Sequence, residues 1–173
     1  MVEQLPQPVD QIRVNIAFEQ MVVSVLTGAF VGGALTFLLN VAGVFLDGFS
    51  FAALLTAILQ TLLVAFVIFL VGFFSSVVIG APLFVALEKR KRRNVWPYLA
   101  AAIAVAIISF AAAVRGLPEA RDFTLATCAA IFVPTLVIAL MFARGMRPHW
   151  QAAELAEAEA QASASGPYLY RVH

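Results

Sequence analysis

The stretch GAPLFVALEKRKRRNVWPY, residues 80–98, decides the reading of this chain. An apolar run meets a glycine and a proline and then ends in consecutive cations, Lys89, Arg90, Lys91, Arg92 and Arg93. On either side of it the sequence is almost entirely apolar. The chain has 173 residues, 62% of them hydrophobic and 12% charged, whereas soluble domains are roughly 45–50% apolar and about 25% charged. This composition predicts an integral membrane protein, with lipid bilayer as its solvent. The formal net charge of +1 gives no reason to expect nucleic acid as a partner.

Four apolar segments run from Ile16 to Leu46, Phe51 to Leu87, Tyr98 to Val114 and Phe123 to Phe142. Backbone amides in hydrocarbon must be satisfied within the segment, and continuous apolarity without a period of two excludes a barrel. The fold class is therefore all-α, a polytopic bundle of four transmembrane helices. The spans are expected at about 17–41, 52–80, 98–115 and 123–143, within a domain of residues 1–146. Phe51 to Leu87 would make one helix roughly 55 Å long, against a hydrocarbon core of about 30 Å. Pro82 lacks a donor and disfavours helical geometry at Ala81, so a kink or break is expected at Gly80 to Pro82, with PLFVALE at the interface.

A short loop of cations between two spans is placed in the cytoplasm by the positive-inside rule. Four crossings then put both termini on that side. Arg13, Arg144, Arg147 and Arg171 fall inside under this topology, and Arg115 and Arg121 outside. The same loop is suited to anionic lipid headgroups, at about 1 kcal/mol per cation near the surface. Trp96, Tyr98 and Trp150 fall near the inner boundary and read as an aromatic belt. The first sixteen residues lack the basic start and apolar stretch of a cleaved signal, so the first segment is expected to be a retained span. Asp47 and Gly48 suit the first turn.

Beyond Arg147 the composition shifts to Ala, Glu and Gln. Residues 147–173 are expected to be a cytoplasmic tail, with a short solvated helix over 150–162 ended by SASGP.

Small residues recur every fourth position. Ser24, Gly28 and Gly32 form one row, and Gly72, Ser76 and Gly80 another; such rows let helix backbones approach closely in lipid. Packing within the bundle is the plain reading, and a homo-oligomer interface the sharper one. Asn40, Gln60, Ser109 and Thr127 lie at outer depths on four different helices. They form either interhelical hydrogen bonds, worth roughly 0.6 kcal/mol each, or a polar pocket open to the outside. Glu19, the carboxylate inside the first span, has Arg144 as a partner by depth. Pro134 should bend the fourth helix, with the carbonyl of Ala130 freed and Thr135 beside it.

His149 and His173 lie in the tail region and Cys128 in a span, a pattern with no metal-ligand spacing, so no metal site is expected. No phosphate loop, nucleophile elbow or dinucleotide fingerprint is present, and no cofactor is expected. The architecture, though no particular motif, is similar to that of small four-span inner-membrane proteins of bacteria. The expectation is a non-enzymatic protein of the bacterial cytoplasmic membrane. It would act by association with other membrane components as a scaffold, accessory or regulatory subunit. The alternative is a small oligomeric transporter or channel built on the outer polar residues.

Overall fold

A computed structural model describes residues 9–46, 48–116 and 124–164. Asp47, Arg121, Arg171 and the tail after Ala164 lie outside the described residues, as does the loop of residues 117–123. Every described element is helical: α1 (Val9–Leu46), α2 (Phe51–Ser75), a five-residue π segment (Ser76–Gly80), α3 (Ala81–Lys89), α4 (Trp96–Gly116) and α5 (Thr124–Ala164). Four helical stretches are long and apolar enough to cross a membrane: Arg13–Leu46, Phe51–Lys89, Trp96–Gly116 and Leu125–Ser163.

The break expected near Pro82 takes the form of the π segment. Pro82 has no N–H for the carbonyl of Val78, and its ring would clash there in an α-helix. Widening the turn resolves both problems, and the Ala81 amide donates to the Ser76 carbonyl, five residues back. The chain then continues directly as α3 with no non-helical residue between. It ends at the basic loop with the Arg92 amide on the Leu87 carbonyl (2.9 Å) and the Lys91 amide on the Glu88 carbonyl (2.9 Å). This is a Schellman closure whose left-handed position is Lys91, at φ 52°. At the other end, Ser50 caps α2 by accepting from the Ala53 amide at 3.1 Å.

The fourth span and the expected tail helix are one element. α5 has 41 residues and contains both Pro134 and Pro148, a length of about 62 Å. Composition suggested a boundary near residue 147, but Pro148 and Arg144 are exposed, so solvent can serve the carbonyl that Pro148 leaves without a donor. Pro134 is fully buried, and beside it the Thr135 hydroxyl donates to the Ile131 carbonyl at 2.6 Å.

The helices pack in the lateral order α2, α1, α5, α4. α1 is the centre: Gly33 meets Ala65 of α2, and on its other side Gly28 meets Pro134 and Ile138 of α5. α4 rests on α5 and reaches the α2 side mainly at the π segment. The densest core lies at the end carrying the basic loop, where Met21, Phe84, Tyr98, Phe142, Met146 and Trp150 are buried together. Tyr98 sits 5.1 Å from Phe142 and stacks on Trp150 at 5.9 Å, while Phe84 meets Phe142 edge-on at 6.3 Å. Tyr98 and Trp150 are thus core residues and not part of a boundary belt, because all four long helices converge at that end. Trp96 alone of the three is exposed, at 70%. Away from this core, large apolar side chains such as Phe30, Leu62 and Phe66 point outward, the surface expected of a chain solvated by lipid.

Candidate functional site: an apolar slot beside an ionic cluster

Because α2 and α4 are held apart by α5, a cavity of about 390 Å³ remains between them. Gly72, Ser76 and Gly80 form one wall, Ala102, Val105 and Ser109 the other, and Pro134 and Ile138 of α5 the floor. Along α2 and α3 it runs from Val67 to Leu83, roughly 24 Å at 1.5 Å per residue. Its far end is flanked by Ala112 and Ala113 and its near end by Tyr98. The walls mix small residues with aliphatic ones such as Val71, Ile79 and Val105, and the small ones leave part of the gap between the two helices unfilled. It is partly open to the outside of the bundle.

The second row of small residues, Gly72, Ser76 and Gly80, lines this slot. The first row does not. Ser24 is 1% exposed and its hydroxyl donates to the Gln20 carbonyl at 2.6 Å. At Gly28 an added Cβ would lie 3.0 Å from the carbonyl oxygen of Pro134, and at Gly32 it would meet Ile68 at 2.5 Å and the Pro134 ring at 3.2 Å. These positions hold α1 against α5 and α2.

Of the outer polar residues, Ser109 lines the slot; Asn40, Gln60 and Thr127 do not. The register that sets Gly32 against Ile68 places Asn40 level with Gln60, yet Gln60 is exposed on α2 and Asn40 half-buried, and no hydrogen bond joins them. The four side chains therefore do not converge on one cavity. Glu19 and Arg144 are both exposed and form no ion pair with each other among the described residues.

The ion pairs lie elsewhere. Arg93 has a side chain only 3% exposed, and its Nη2 donates to Oε1 of Glu157 at 2.7 Å and to Oε1 of Glu88 at 3.2 Å. Arg13 of α1 pairs with the same Glu88 oxygen at 3.2 Å, and Lys91 pairs with Glu157 at 3.0 Å. One cluster thereby joins α1, α3, the basic loop and the extension of α5. Burial works against the charge on Arg93, but the hydrogen bonds to Glu157 and Glu88 outweigh it and raise its pKa above the ordinary arginine value. The Arg93 hydrogen bond, followed by that from Lys91, holds Glu157 below the usual carboxylate range. Arg93 Nε is buried with no acceptor among the described residues.

The basic run is therefore divided in its tasks. Lys91 and Arg93 are engaged with Glu157, whereas Lys89, Arg90 and Arg92 are exposed and hold no ion-pair partner among the described residues. Sequence reading treated the five alike. The one local signal for a difference was Glu88, five positions before Arg93. Also unforeseen was Gly145, where an added Cβ would overlap the Gln20 carboxamide and oblige that flexible side chain to move. Among the described residues no group of His, Cys, Asp and Glu is arranged to hold a metal ion.

Comparison with protein-family models, with curated proteins and with solved structures finds no match to this chain.

Proposed function

We propose that this chain is a non-enzymatic, multi-pass protein of the bacterial cytoplasmic membrane that works by association with other membrane components, as a scaffold, accessory or regulatory subunit. In this reading both termini and the 89–93 loop face the cytoplasm, and the extension of α5 presents a polar helix there. The observation that carries the reading is the slot between α2 and α4. The small residues in its walls, Gly72, Ser76, Gly80 and Ala102, are of the kind that admit close approach by an apolar neighbour. The alternative of a transporter with an outer polar pocket draws no support from an exposed Gln60 and from Asn40 and Thr127 lying off the cavity.

The test is position-specific crosslinking in native membranes. A photoreactive benzoylphenylalanine replaces Val105, on the slot wall, or Ile108, on the exposed face of the same helix. Association through the slot yields adducts of defined mass from position 105 that position 108 does not give. Equal, diffuse labelling from both positions would discard the reading.

A further inference from the structure

We propose that the slot seats one acyl chain of an anionic phospholipid whose headgroup rests on Lys89, Arg90 and Arg92. The inference rests on the association reading above and names its ligand. Length and lining point to the class of occupant: the slot has a volume of about 390 Å³ and runs for roughly 24 Å. A single extended hydrocarbon chain suits a space that long and that narrow. Its lining is almost wholly apolar, and Ala102, Ala112 and Ala113 leave room for methylenes.

Charge decides the headgroup. The slot ends at Leu83 and Tyr98, and the basic loop joins the two helices that carry those residues. From Leu83 to Lys89 is about 9 Å along the helix, the separation between the top of a hydrocarbon chain and a phosphate at the membrane surface. Glu88 and Glu157 are taken up by Arg13, Lys91 and Arg93. The three remaining loop cations are exposed, on the loop that joins the two helices lining the slot, and each raises the affinity for an anionic lipid roughly five-fold.

The experiment uses the full chain in phosphatidylcholine nanodiscs with a trace of lipid carrying a diazirine on one acyl chain, either phosphatidylglycerol or phosphatidylcholine. Labelled residues are mapped by mass spectrometry. The phosphatidylglycerol probe should label Gly72, Ser76 and Ala102 at least ten-fold more than the phosphatidylcholine probe does, while exposed Leu59 and Leu62 are labelled equally by both. The triple variant K89Q/R90Q/R92Q should bring slot labelling down to the phosphatidylcholine level. These positions are exposed and hold no ion-pair partner among the described residues, so folding is spared; Ala102→Leu, which fills the slot, should remove the labelling of Gly72 and Ser76 by both probes. Equal slot labelling by the two probes would overturn the headgroup assignment and leave the association reading standing. Slot labelling no stronger than that of Leu59 would overturn lipid occupancy. Protein adducts from position 105 would then show that the association reading survives without it.

Discussion

Arg93 and Glu157 are 64 positions apart in sequence and meet at 2.7 Å, through a guanidinium almost wholly removed from solvent. The contact fastens the basic loop to the extension of α5. A carboxylate stabilised in this way makes folding pH-dependent. The lowered pKa of Glu157 in the folded chain means that the unfolded chain takes up its proton first as pH falls. Its contribution is complete above the unperturbed value of roughly 4.3 and is lost as pH drops through the folded one. Melting curves in detergent from neutral to acid pH should show wild type losing its advantage over Glu157→Gln in that acid window, with the two converging below it. A constant gap across all pH values would show that the charge on Glu157 contributes nothing to the stability.

Gly28 is a close point of the α1–α5 contact, with the Pro134 carbonyl and Ile138 where a side chain would go. Ile138 can swing aside, but the backbone of Pro134 cannot. Gly28→Ile should lower stability by about 1–3 kcal/mol, the range for overpacking a filled interior, and Gly28→Ile with Gly32→Ile should lower it further. Thermal denaturation in detergent reads this, and an unchanged midpoint in the double variant would remove both glycines from the packing account.

Lys91 occupies a left-handed position, φ 52°, where a Cβ costs about 1–2 kcal/mol and glycine has no such penalty. Its ion pair with Glu157 is exposed and of small net worth. Lys91→Gly should therefore be more stable than Lys91→Ala by about 1 kcal/mol, since both lose the pair and only one is relieved of strain. Equal midpoints for the two variants would argue against the Schellman closure of α3.

The proposed orientation has a direct readout. Alkaline phosphatase fused after Gly116 should be active in a bacterial host, and inactive when fused after Arg93. The opposite pattern would invert the topology and move Lys89, Arg90 and Arg92 to the other leaflet.

What the sequence determined by itself was the number and kind of elements. A bilayer-length apolar run must close its own hydrogen bonds, so residue type alone specifies four long apolar helices, and Pro82 announces a disturbance of the second. Glycine rows are also legible, because a missing Cβ is a property of the residue and not of its neighbours. Which way each helix turns was not legible. In lipid the inside and the outside of a bundle are equally apolar, so no hydrophobic face marks the contact. Asn40 and Gln60 share a depth but not a direction for that reason. Only tertiary packing set α1 at the centre, held α2 and α4 apart to leave the slot, and drew Tyr98 and Trp150 into the core. The ionic cluster was hidden by distance along the chain, since Glu157 reaches Arg93 only because α5 continues through Pro148, where an exposed face lets solvent take the place of the missing donor.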